Sequence, residues 1–349
     1  MEKEIKEFEA IVVGGGQAGL AMGYYLRQLH KQFVILDAGE KIGASWQNRY
    51  DSLKLFTLAP FNGLAGLPFP GKRDYFPSKD EVAQYLQQYA KRFELPVVLQ
   101  QKVTEVRKQG SQYVVKTADE TYTAAQVIVC TGAFHVPFIP AFKKQINPNI
   151  KQLHSADYRR PSQLLPGKTL VVGGCNSGFQ IAEELLMAGQ EVYFSFKGKL
   201  IGGNTSALFF TFLFNSGLLS CSKYSWLGNK IQKRQEPIMS SNLDAVLQHP
   251  KLHLTGAALG ATKVGIICER GVIHDVENNI WATGYTSDFS WIKLPVFDML
   301  GKPVQHRGVT QSEGLYFLGL PWLHSRGSGL LGGVSNDAAY IAKHIAAHF

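Results

Sequence analysis

The amino-acid sequence predicts an α/β fold with two parallel, doubly wound sheets, and three observations carry the prediction. A short β-branched run, Phe8 to Val13, leads into a glycine-rich turn and a helix marked by Leu20, Tyr24, Leu26 and Leu29. The same succession returns after Thr169 to Val172, with Phe179, Ile181, Ala182, Leu185 and Leu186 on the apolar side of the helix. A last strand and turn at 314–319 precedes a helix from Val334 that carries Ala338, Ile341, Ala342 and Ile345 on one face. Short, continuously apolar β-branched runs belong to parallel strands buried on both faces.

The two units are read as Rossmann-like dinucleotide-binding domains, with the second inserted into a split first domain. The predicted division is 1–150 plus 285–349 for the first and 151–284 for the second. The 349-residue length fits two domains, at about 150 residues each. Apolar residues at 45% and charged residues at 18% exclude a disordered or fibrous chain. Four scattered cysteines without a CxxC exclude a disulfide framework, a zinc ribbon and a dithiol pair, and no metal site is expected. The net charge of +9 is dispersed, with no basic run of five, so no nucleic acid is expected as partner. The charged N-terminus lacks the apolar core of a signal peptide. The apolar run 207–214 is too short to span a bilayer, so no stable membrane insertion and a cytoplasmic location are expected. A homodimer is left open.

The first turn reads Gly14-Gly-Gly16-Gln-Ala-Gly19, a GxGxxG with a strand before it and a helix after it. Gly14 allows the tight turn, Gly16 lets a pyrophosphate approach the backbone, and Gly19 lets helix and strand pack closely. The helix N-terminus offers N–H donors and a positive dipole to phosphates. The following strand ends in Asp37, placed to accept from both hydroxyls of a ribose.

The second turn, Gly173-Gly-Cys175-Asn-Ser-Gly178, repeats the first with Cys175 at the middle glycine. No acid ends its second strand; Ser195, Lys197 and Lys199 stand there instead. A carboxylate repels a 2′-phosphate, whereas a lysine and a hydroxyl welcome one. The first site therefore favours a 2′-hydroxyl dinucleotide and the second NADPH, with NADH the alternative. Two such sites in one chain point to a bound flavin, reduced by a diffusible nicotinamide. The assignment is FAD in the split domain and NAD(P)H in the inserted one.

Ser78-Lys-Asp-Glu81 is a capping box that opens a structural helix with Val82, Tyr85, Leu86, Tyr89 and Phe93. Thr131-Gly132 and Thr283-Gly284 each follow an apolar strand and mark crossings between the two domains. The N-terminus of the last helix suits the anionic edge of a reduced flavin. Gln17, Ala18, Val103, Thr131, Gly132, Gly319, Gly333 and Val334 complete the candidate cofactor-binding set.

Seven stretches, in order, resemble the flavin-containing monooxygenase family in its compact bacterial branch. They are GGGQAG (14–19), GASWQNRYDSLKLFT (43–57), TGAFHVPFIP (131–140), HSADY (154–158), GGCNSG (173–178), WATGY (281–285) and GLPWLHSRGSGLLGGV (319–334). The resemblance implies that reduced flavin reacts with O₂ to give a C4a-(hydro)peroxide, which passes one oxygen to a soft sulfur or nitrogen nucleophile in a small substrate. It also implies that Trp46, Arg49, Leu55 and Thr57 lie along FAD, and that Asn176, Ser177 and Gln180 face the nicotinamide dinucleotide.

Four positions depart from the family pattern. Leu58 stands where animal-type members carry an asparagine near the flavin, Pro148 and Ile150 replace an aromatic and a glycine ahead of His154, and Cys175 replaces a glycine. Two alternatives therefore stay open: an NAD(P)H oxidase or reductase with uncoupled flavin, and a non-catalytic nucleotide-binding flavoprotein. His154, His324 and Arg326 are the candidate catalytic residues. His154 is read first as a histidine that holds the domain crossover, while His324 and Arg326 divide evenly between site and scaffold. The stretch 207–214 is read as lining apolar substrate access, touching a membrane surface or forming a buried insertion helix.

Overall fold

The computed structural model describes residues 5–203, 206–240 and 242–348. The first sheet begins with β1 (Ile5–Val13), which leads through the glycine turn into α1 (Gln17–Gln28) and back to β2 (Phe33–Leu36). Then come α2 (Lys79–Arg92), β3 (Val97–Val98), the hairpin β4 (Glu105–Gln109) and β5 (Gln112–Lys116), and β6 (Thr121–Val129). β1 lies between β2 and β6, parallel to both, so successive apolar residues face opposite layers. Ala10 and Val12 join a core with Leu20, Met22, Leu86 and Tyr89, while Ile11 and Val13 join one with Val106, Tyr113 and Phe317. That two-sided burial explains the unbroken apolar run at 10–13.

The second sheet starts at β7 (Lys151–His154) and β8 (Lys168–Val172), followed by α3 (Asn176–Met187) and β9 (Val192–Ser195). After the excursion through α4 (Ala207–Asn215) and α5 (Trp226–Gln232) come β10 (Leu252–Gly256) and β11 (Val276–Trp281). The order is β10-β9-β8-β11-β7, all parallel. α3 covers one face, and a three-stranded antiparallel sheet over 258–273 covers the other. The chain then returns to the first sheet as β12 (Leu315–Phe317), parallel to β6, and ends in α6 (Val334–His348).

The two passages between the sheets are bound to each other. Residues 136–137 and 285–286 pair antiparallel, Phe138 N donates to Gly284 O at 2.9 Å, and Thr283 Oγ1 donates to Phe138 O. The two threonine–glycine turns thus lie where the sequence places domain crossings. The split α/β fold with an inserted second sheet follows from these pairings.

Candidate functional site

The two glycine turns are built alike, bond for bond. Gly14 N donates to Leu36 O at 2.8 Å and Gly173 N to Ser195 O at 2.8 Å, each tying the turn to the neighbouring strand. Cys130 N donates to Val13 O and Ala282 N to Val172 O, both at 2.7 Å. Gly14 and Gly173 hold φ of +106° and +131°, and a Cβ on either would run into a backbone carbonyl, of Cys130 or Ala282. Only glycine meets both demands. A Cβ on Gly16, by contrast, meets nothing within 4 Å, so that glycine is not required by the protein's own packing. Cys175 shows the same, since it takes the same extended backbone as Gly16 with a side chain in place.

Helix capping separates these turns from α2, α4 and α5. Ser78, Ser206 and Ser225 cap α2, α4 and α5 with their side chains, and α2 has Asp80 and Glu81 in its first turn. α1 and α3 have no side-chain cap and no acid in the first turn. Their leading N–H groups and positive dipole ends are left to an anion from outside the chain. The open space at Gly16 and the uncapped α1 terminus fit the pyrophosphate of FAD. The equivalent terminus at α3 fits a second dinucleotide, with the Cys175 thiol in the approach. Cys175 is exposed, and partial desolvation by its surroundings together with the nearby Glu236 carboxylate pushes the thiol's pKa up, so it stays neutral and does not repel phosphate.

Asp37 stands at the end of β2, half-buried, and does more than the sequence reading assigns. Its carboxylate accepts from Gly15 N at 2.5 Å and Gly39 N at 2.7 Å, which clamps the turn to the strand end. A carboxylate with roughly four lone-pair sites keeps capacity for ribose hydroxyls. The C-terminal stretch closes on the same turn: Gln17 Nε2 donates to Gly329 O at 3.3 Å, and Gly319 lies against Ala18. Gly333 packs on Gly327, and Val334 is fully buried at the start of α6. That helix carries Asp337 in its first turn, buried and paired with Arg307 at 3.0 Å, a carboxylate the sequence reading did not weigh.

Thr131 lies against the first turn, its N 3.1 Å from a Cβ built on Gly14. Leu55, Thr57 and Val103 are buried, and Trp46 packs half-buried on the first core. Thr131 is exposed beside Gly132, whose φ is +76°. Thr57 Oγ1 donates to Asn62 Oδ1 at 2.6 Å, and the Asn62 amide donates to the carbonyls of Thr57 and Leu58. Leu58 is 1% exposed, so its side chain offers this loop neither a donor nor a free surface. A cleft of about 600 Å³ opens beside the loop, lined by Pro60, Phe61, Leu64, Leu67, Phe214 and Gly332. A second cleft, at Lys168, His253 and Arg270, lies at the outer edge of the second sheet, away from both turns.

The structure gives several of the candidate side chains protein partners. Arg49 Nη1 donates to Tyr285 Oη at 2.5 Å, and its guanidinium lies over the Tyr285 and Phe134 rings, so it reaches from the first domain to the crossover. His154 packs edge-on against Tyr285; its Nε2 donates to Gly284 O at 3.0 Å and its Nδ1 accepts from Ala156 N at 3.1 Å. Both ring nitrogens are committed, burial lowers the pKa, and the residue is a neutral strut of the crossing rather than a proton carrier. Arg326 pairs with Glu236 at 2.6 Å and ties the C-terminal turn to the insertion. His324 has a buried Nδ1 without a protein partner, and burial and the Arg307 charge lower its pKa.

In the second domain, Asn176 Oδ1 accepts from Met239 N at 2.8 Å. Gln180 accepts from Tyr50 Oη at 2.9 Å and donates to Lys54 O at 3.3 Å, so it links α3 to the first domain. The Ser177 hydroxyl also bonds to Tyr50. The pairing of Ser195 with the lysines is corrected. Ser195 is buried, with its hydroxyl turned inward, so of that group only Lys197 and Lys199 are exposed past β9. Sequence reasoning missed Tyr50, Glu236 and the bond from Gly15 to Asp37, because each joins residues more than 20 positions apart and no local pattern marks it.

With this geometry in place, comparison with known proteins fixes the lineage. Residues 11–208 match the pyridine nucleotide-disulphide oxidoreductase family. The chain is 41% identical to CzcO, an uncharacterized oxidoreductase of Bacillus subtilis (strain 168), over 97% of this chain and 99% of that one. It is 28% identical to "Probable indole-3-pyruvate monooxygenase YUCCA4" of Arabidopsis thaliana, over 96% of this chain and 89% of the relative. The solved flavin-containing monooxygenase from Stenotrophomonas maltophilia superposes with a TM-score of 0.83 at 25% identity, with 99% of each chain covered. The chain belongs to the pyridine nucleotide-disulphide oxidoreductase family, is similar to flavin-containing monooxygenases, and is a flavin-dependent oxidoreductase.

Proposed function

We propose that this protein is an FAD-dependent, NADPH-consuming monooxygenase that places one oxygen atom of O₂ on a soft sulfur or nitrogen of a small substrate. The observation that carries the reading is the pair of uncapped, like-built helix termini joined by one doubly bonded crossover. FAD belongs to the split domain, 1–150 with 285–349, and NADPH to 151–284. FAD, when bound, supplies hydride acceptance and O₂ chemistry; the protein supplies position and dryness.

The residues divide that work. Gly14, Gly16 and Gly19 with the α1 terminus hold the FAD pyrophosphate, and Asp37 holds its ribose. Gly173, Gly178 and the α3 terminus hold the second pyrophosphate, with Lys197 beside the 2′-phosphate. Arg49, Tyr285 and His154 keep the two domains in one orientation, so that the nicotinamide and flavin rings meet. The four cysteines form no CxxC, which supports a route for the electrons other than through a dithiol.

Leu58 supports a second reading, an oxidase with uncoupled flavin, because the buried amide of the same loop, Asn62, is bonded to the Thr57 hydroxyl and to the Thr57 and Leu58 carbonyls. The test is stoichiometry. NADPH consumed, H₂O₂ released and sulfoxide or N-oxide formed are measured with a panel of small thioethers and amines. The monooxygenase reading expects H₂O₂ per NADPH to fall as product rises. H₂O₂ equal to NADPH with every compound selects the oxidase. Flavin that NADPH does not bleach removes both.

A further inference from the structure

The insertion between β9 and β10 carries a surface that dinucleotide chemistry does not use. Residues 198–235 contain Lys199, Lys223, Lys230, Lys233 and Arg234, and no Asp or Glu. Within it, α4 is docked by one side only. Phe210 is buried near Phe76, and Phe214 stacks on Phe61 at 4.3 Å. On the other side Leu208 and Phe212, four residues apart and so on one helix face, are 84% and 62% exposed. α5 opens with Trp226, 78% exposed, and Lys230 Nζ lies 5.1 Å above that indole. A helix of sequence ALFFTFLFN is apolar all round and is normally buried on every side. Here the chain covers only half of it.

We propose that this insertion seats the protein peripherally on an anionic lipid surface. Leu208, Phe212 and Trp226 enter the headgroup boundary, and the lysines meet lipid phosphates. Interfacial segments combine these features: an apolar face, an indole at the boundary and basic residues that snorkel. Charge decides among the occupants. A second copy would bring the same lysine-rich surface and repel the first. A nucleic acid would meet the charge but gain nothing from the aliphatic Leu208 and Leu227. No helix among the described residues is long and apolar enough to cross a membrane, so the contact is one of surface seating.

The experiment is flotation of the full-length, FAD-loaded protein with phosphatidylcholine vesicles and with phosphatidylcholine–phosphatidylglycerol vesicles. The protein is expected to float with the anionic vesicles only and to be released by salt. Lys230→Glu with Lys233→Glu should cut partitioning by at least about tenfold, given the contribution of each basic residue at an anionic surface. Leu208→Glu with Phe212→Glu should abolish flotation while FAD content and NADPH oxidation persist. Independently of those variants, anionic vesicles should blue-shift the tryptophan emission of the unaltered protein, and Trp226→Phe should remove most of the shift. Sedimentation away from anionic vesicles at low salt, an unmoved emission spectrum, or charge-reversed variants that float like the parent would each overturn the proposal. So would salt-sensitive binding to an RNA oligonucleotide without vesicle binding, or dimerisation through this face in place of flotation.

Discussion

Gly16 and Cys175 occupy equivalent positions, and the difference between them can be measured. A Cβ at Gly16 touches no protein atom, so Gly16→Val should leave the fold intact and still prevent FAD retention. The check is the visible absorbance of the purified variant together with its circular dichroism. Fully yellow protein would remove the pyrophosphate from that turn. At the second site the decisive charge is on Lys197, exposed past β9. Lys197→Glu should raise KM for NADPH about tenfold while KM for NADH changes little, because a 2′-phosphate loses a charge-assisted bond and meets repulsion. Equal changes for both coenzymes would put the phosphate elsewhere. Cys175 was legible from sequence as a departure; the approach of Glu236, which pushes its pKa up, was not, because that residue lies far along the chain.

At the scale of elements, capping sorts the helices by purpose. α2 is closed by its own side chains: Ser78 accepts from Glu81 N, and the Glu81 carboxylate accepts from Ser78 N. Ser78→Ala should cost about 1 kcal/mol. For a chain of this size that is a fall in Tm of roughly 2 °C, with cofactor content unchanged. A thermal melt followed at the flavin and in the far ultraviolet reads both. The same substitution logic has no target on α1 or α3, whose caps are absent. This contrast was half legible: the box at 78–81 reads directly from sequence, whereas a missing cap gains meaning only once the helix start is fixed.

At the scale of the molecule, the crossover joins pH to stability. His154 is buried and neutral in the fold, with its pKa held below the ordinary histidine value by desolvation. The unfolded chain therefore binds the proton first. The stabilisation is fully present above the unfolded pKa of about 6.5 and is lost as pH falls from there towards the lower folded pKa. The urea midpoint should drop across that interval, and His154→Gln, which keeps a polar side chain at the strut, should flatten the drop. His324, lowered for the same reason, leaves a residual slope. A midpoint as steep in the variant as in the parent would refute the assignment.

The local patterns determined the two strand–turn–helix units, the capping box, the return of the last strand to the first sheet and the places of Gly14, Gly16, Gly19 and Asp37. These are legible because backbone sterics and burial period act within a few residues. Tertiary structure decided the rest. It turned Ser195 inward, brought Arg49, Tyr285 and His154 together at the crossover, paired Arg326 with Glu236 and gave Asn176 and Gln180 structural partners. It also left one side of α4 bare. Such contacts join residues tens to hundreds of positions apart, and sequence periodicity carries no record of which distant surface a side chain meets.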